Sequence, residues 1–103
     1  TNGFTMLDVS EAELMPEEFY LSQAYPNPFN STMRVNYGLP VSSDITLSVY
    51  DATGRLVATL FNGNQSIGNH TVVWEASDIA AGIYLVRMQS GDGAHIRKVT
   101  LLK

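Results

Sequence analysis

The chain has 103 residues, no cysteine, 45% apolar and 16% charged residues, and a net charge of −4. This is the length of one domain, with enough apolar surface to fold, and it excludes disulfides, thiolate metal centres and cysteine nucleophiles. The charge is uneven: Asp8, Glu11, Glu13, Glu17 and Glu18 give residues 1–18 a sum of −5, whereas residues 19–103 carry five acids and six bases and lack the basic footprint of a nucleic-acid binder.

Residues 1–18 show no clean period. Phe4, Met6 and Val9 could make a short strand, but Pro16 and the like-charge block favour an acidic linker or the tail of an upstream domain. The folded domain is expected to span 19–103. A short extended segment around Phe19, Leu21 and Gln23 leads into Tyr25-Pro26-Asn27-Pro28-Phe29-Asn30. Two prolines two apart fix φ twice and push their predecessors into extended conformations, so this segment is a rigid corner. Asn27 and Asn30 can bond nearby backbone and stabilise it.

Period-two runs follow, the mark of half-buried strands. Met33, Val35, Tyr37 and Leu39 share one face. Ile45, Leu47 and Val49 share another after the turn-rich stretch 40–44. Asp51-Ala52-Thr53-Gly54 reads as a hairpin turn into a strand at 55–61. Asn62 to Asn69 reads as a longer loop, His70–Trp74 as a strand and 77–82 as a loop or single helical turn. Gly82–Gln89 is a strand with Tyr84, Val86 and Met88 together. Ser90-Gly91-Asp92-Gly93 is a hairpin signal, and 94–102 is the last strand. There Ile96 is out of phase with Val99 and Leu101, which predicts a bulge near Arg97-Lys98 or, alternatively, partial cover on both faces.

About seven short strands with regular turns and no amphipathic helix predict an all-β, immunoglobulin-like antiparallel sandwich. The expected inward set is Leu21, Val35, Tyr37, Leu47, Val49, Leu56, Leu60, Val72, Trp74, Tyr84, Val86 and Val99. Tyr20, Tyr25, Phe29, Tyr50 and Phe61 are expected at the surface, without the stripe that a sugar-binding face needs.

The residues offer no chemistry. His70 and His95 fall in no metal-ligand spacing. The acids sit mostly at turns, where backbone needs recruit them, and no nucleophile elbow, phosphate loop or dinucleotide fingerprint is present. The expectation is no catalytic residue, no cofactor and no metal. No apolar run approaches the ~20 residues that span a membrane, and no leader peptide is recognisable. The leader of an exported parent would lie outside this fragment.

In order, Phe19-Tyr20-Leu21-Ser22-Gln23, Tyr25 to Asn30, Val49 to Arg55, His70–Trp74, Ile79 to Leu85 and Lys98 to Lys103 resemble the type A C-terminal sorting domain of type IX secretion cargo. Ala24, Ser31 and Glu75 depart from that pattern. The resemblance implies an immunoglobulin-like tail on a larger exported bacterial protein. It implies recognition by the outer-membrane secretion machinery, removal by a sortase-like peptidase, and delivery to the surface of a Gram-negative cell. It carries over onto Pro26, Asn27 and Pro28, onto Gly82 and Tyr84, and onto Lys98, Val99, Leu101, Leu102 and Lys103. Physically, Gly82 suits close approach or positive φ at a strand entry. The last strand could offer its edge to a partner, helped by Lys98 and Lys103. The acidic stretch before Phe19 is the natural place for a cut. The rival readings are a structural spacer without signal role and a carbohydrate-binding accessory module.

Overall fold

A computed structural model of the chain describes residues 18–91 and 93–103. The expectations for the acidic stretch 1–17 and for Asp92 fall outside the described residues. Seven strands form two sheets. They are β1 (Tyr20–Leu21), β2 (Thr32–Leu39), β3 (Ser43–Asp51), β4 (Leu56–Gln65), β5 (Gly68–Glu75), β6 (Gly82–Ser90) and β7 (Gly93–Leu101). The three-stranded sheet runs β1-β2-β5 and the four-stranded sheet β4-β3-β6-β7, with every neighbouring pair antiparallel. The two hairpins, β3–β4 and β6–β7, lie where the turn chemistry put them. The other connections from β2 onward carry the chain between sheets, which makes a sandwich.

Alternation explains the core. Met33, Val35, Tyr37 and Leu39 of β2 face Ile45, Leu47 and Val49 of β3 and Tyr84, Val86 and Met88 of β6, all buried. Each such aliphatic side chain contributes about 1.5–3 kcal/mol by leaving water. Trp74 sits among aromatic rings, 5.7 Å from Phe29 and 5.4 Å edge-on to Tyr84. The Tyr84 hydroxyl donates to the Ala80 carbonyl four residues back, so its polar end is satisfied while its ring is buried.

Five expectations are corrected. Leu56 is 59% exposed rather than inward. β4 is an edge strand whose register against β3 shifts between Leu47/Ser48 and again between Val49/Tyr50. Each shift flips the faces, so a strict count of two fails along β4. Leu60 and Val72 are only partly buried, packed against the core. The stretch 62–69 is not a long loop: β4 runs to Gln65 and β5 starts at Gly68. No bulge occurs at Arg97-Lys98, because β6 and β7 pair without a register shift from Gly82↔Leu101 to Ser90↔Gly93. Ile96 instead lies on the outer face, 53% exposed. Finally, Phe29 is 1% exposed, a core residue and not a surface aromatic.

Gly38 has a packing reason of its own. It pairs with Tyr20 across β1 and β2, and a Cβ there would meet Tyr20 Cε2 at 2.1 Å. The ring therefore lies on bare backbone, and its hydroxyl donates to Asn69 Oδ1.

Candidate functional site

The corner at 25–29 is a strap between the two sheets. At its start Tyr25 N–H donates to the Arg34 carbonyl and Arg34 N–H donates back, which ties it to β2. At its end Phe29 N–H donates to the Thr100 carbonyl and Leu102 N–H to the Phe29 carbonyl, a parallel bridge to β7. Between them Asn27 uses both ends of its amide. Nδ2 donates to the Lys98 carbonyl at 3.0 Å, and Oδ1 accepts from Thr100 N–H at 3.0 Å. The Tyr25-Pro26 and Asn27-Pro28 bonds are both cis. Proline lacks an N–H, so neither ring leaves a donor unpaired at the corner. Ala24 and Phe29, both buried, anchor it from inside.

The structure brings all ten sequence-derived candidates to one end of the sandwich. Pro26, Asn27 and Pro28 are exposed on the strap. Gly82 pairs with Leu101 and Tyr84 with Val99 across β6 and β7. Gly82 has φ 154°, and the nearest atom to an added Cβ is Tyr84 Cε1 at 4.0 Å. Its requirement is therefore conformational, not a close approach. Val99 and Leu101 are core, at 0% and 1% exposure, and Tyr84 is buried at 7%. They shape the region and cannot touch a partner. Pro26, Asn27, Pro28, Lys98, Leu102 and Lys103 are exposed. Lys103 Nζ donates to the Ser77 carbonyl at 2.6 Å, which pins the chain end over the β5–β6 connection.

One expectation changes here. β7 is an edge strand of its sheet, but its outward backbone groups at Lys98, Thr100 and Leu102 are already bonded by Asn27 and Phe29. Strand pairing by an outside partner is blocked along that half. By the same alternation the outward groups of Ala94 and Ile96 face no strap: among the described residues no loop backbone bonds them. Sequence reasoning missed Phe29, Thr100 and Ser77. Phe29 lies in no periodic run, and the other two act through backbone groups, the Thr100 N–H and carbonyl and the Ser77 carbonyl, which almost any residue could supply.

The β3–β4 turn belongs to the same set of marks and has a clear local cause. Asp51 Oδ1 accepts from the Thr53 hydroxyl at 2.6 Å, from Thr53 N–H at 2.9 Å and from Arg55 N–H at 3.0 Å. The Thr53 hydroxyl foremost, then the Arg55 N–H, hold this carboxyl below the usual carboxylate range. His70 is also satisfied, with Nε2 2.8 Å from the Ser66 carbonyl and its ring stacked on Tyr37 at 5.3 Å. Among the described residues no three or more His, Cys, Asp or Glu side chains gather where they could hold a metal ion, and no helix is long and apolar enough to cross a membrane.

The family of secretion-system C-terminal sorting domains matches residues 23–101. The chain belongs to that family. The match includes the strap, β2 to β7 and the Thr100 and Leu101 positions that the strap grips. Sorting domains of this kind are C-terminal signals for type IX secretion, so the chain is the sorting tail of an exported cargo bound for the cell surface or the medium. No curated protein matches it. A solved structure described as dimeric latent PorU from Porphyromonas gingivalis is similar in fold, with TM-score 0.62 and 19% identity over 82% of this chain. The sorting domain spans only 9% of that chain's length.

Proposed function

We propose that the secretion machinery reads a composite surface made by the strap and the end of β7: Pro26, Asn27 and Pro28 with Lys98, Leu102 and Lys103. Gly82, Tyr84, Val99 and Leu101 act beneath it as the support that fixes its shape. The observation that carries this reading is the double bond of the Asn27 side chain to the Lys98 carbonyl and the Thr100 N–H. It joins residues 71 positions apart into one rigid patch. The module itself is a non-catalytic address. It rides on an upstream cargo domain through the periplasm and across the outer membrane of a Gram-negative cell. A sortase-like peptidase then removes it by cutting in the acidic stretch before Phe19. Lys98 and Lys103 make the patch cationic, so the receptor surface carries acids or carbonyls opposite them.

The test fuses residues 1–103 to a periplasmic reporter in a type IX-competent host. Removing Val99 to Lys103 would also strip two core residues, so surface changes are the cleaner probe. The triple variant K98E/L102S/K103E should retain the melting temperature of the parent within a few degrees and lose most surface delivery. Full delivery by a folded triple variant would overturn the composite reading. Failure of the unmodified fusion to leave the periplasm would favour a spacer role.

A further inference from the structure

The outer faces of the two sheets differ in kind. On the three-stranded sheet many polar groups satisfy one another: Tyr20 donates to Asn69, Thr71 and Tyr25 to Asn36, and Thr32 to Glu75, while the Arg34 guanidinium there is exposed and unbonded among the described residues. On the four-stranded sheet the register sets Thr59, Ser48, Arg87 and Ile96 in one row across β4, β3, β6 and β7. Leu56, Tyr50, Leu85 and Lys98 make the next row, and Ile83 lies beyond. Arg87 sits near the centre, half-buried, and its guanidinium has no hydrogen bond or ion pair among the described residues. Around it Leu56, Ile83 and Ile96 are 59%, 47% and 53% exposed.

Two adjoining hollows share Arg87 and Tyr50. One is polar, lined also by Thr46, Ser48 and Gln89, and the other is apolar, lined also by Leu85 and Ile96. They measure about 200 and 260 Å³, the size for a side chain or two each and below that of a drug-sized site. The face is cationic, with Arg87 and Lys98 upon it. Among the described residues the one acid on this face of the strands is Asp44, at the far end of β3, which accepts a bond from Asn64.

We propose that this face docks an extended peptide segment of a partner protein in which a carboxylate side chain stands beside aliphatic ones. The charge pattern selects the anion. A guanidinium fork without an acceptor matches a carboxylate in two parallel bonds. The neighbouring Tyr50, Leu85 and Ile96 select an apolar neighbour on the same segment, and clustered exposed aliphatics rimmed by polar groups are the usual mark of such a contact. The site lies apart from the strap and meets it only at Lys98.

The full chain, isotopically labelled, would be titrated with acetyl-Leu-Glu-Leu-Glu-Leu-amide and with its glutamine counterpart, and followed by NMR. Saturable shifts confined to Tyr50, Leu85, Arg87 and Ile96 are expected with the glutamate peptide. Affinity should fall about tenfold for the glutamine peptide, which is about 1.4 kcal/mol, and by a similar factor for R87Q. I96S should weaken both peptides. R87K, which keeps charge without the fork, should fall between and serves if R87Q does not fold. Equal binding of the two peptides, shifts mapped elsewhere, or no saturable shifts would overturn the proposal. So would tighter binding to anionic vesicles than to the peptide, since that would make the face a lipid contact.

Discussion

Asn27→Ala isolates the strap from everything else in the fold. It removes two hydrogen bonds, Asn27 Nδ2 to the Lys98 carbonyl and Thr100 N–H to Asn27 Oδ1, and leaves the Phe29 bridge in place. A typical bond contributes about 0.5–1.5 kcal/mol. Both of these are reachable by water, so the sum belongs at the low end, about 1–2 kcal/mol. With a urea slope of about 1–1.5 kcal/mol/M for a domain this small, the unfolding midpoint should drop by roughly 1 M. Amide exchange gives the sharper assay. Thr100 N–H loses its acceptor and should exchange about tenfold faster or more, whereas Val99, which pairs toward β6, should follow only the global change. Asn27→Asp keeps an acceptor for Thr100 but sets a carboxylate against the Lys98 carbonyl. It should keep Thr100 protected and still lose stability. An unchanged Thr100 rate in Asn27→Ala, or an unchanged midpoint, would refute the strap as a stabilising contact.

Other outcomes follow from the same contacts. Gly38→Ala places a Cβ 2.1 Å from Tyr20 Cε2 and should cost about 1–3 kcal/mol by overpacking. Adding Tyr20→Ala should recover part of that loss in a double-mutant cycle. Leu56→Ser should change stability by less than about 0.5 kcal/mol, as at other exposed sites, whereas Leu47→Ala should cost about 2–5 kcal/mol. Paired urea curves decide both. The Asp51 carboxyl is held below its ordinary value in the folded state. Its contribution is therefore complete above about pH 4, the unfolded value, and is lost as pH falls through the lower folded one. Asp51→Asn should flatten the fall of the urea midpoint between about pH 5 and pH 2. Parallel pH profiles for the two proteins would contradict this.

The strands that alternate strictly were legible from the residues. β2, β3 and β6 lie between partners on both sides or pack a full face inward, so Val35, Leu47 and Val86 had to be where the period put them. The start of β4 was legible but its inward face and its end were not, because it is an edge with two register shifts, and bulges leave no mark in composition. Ile96 misled the count on β7. It is an apolar residue on an exposed face, and its phase against Val99 resembled a bulge. At the candidate site the sequence pattern marked the proline corner and the chain end separately. That they are one place depends on a side-chain amide reaching a backbone 71 residues away, and no local pattern encodes such a meeting.

On the reading proposed above, that long reach couples the signal to the folding of the whole domain. Asn27 and Phe29 find their acceptors only at Lys98 and Thr100, so a cargo whose synthesis stops short of them has the proline corner and no place to seat it. Closing a contact over so many residues also carries a loop-entropy cost that its hydrogen bonds must offset. On that reading a receptor that engages the patch inspects the fold of the sorting domain at the same moment as its address.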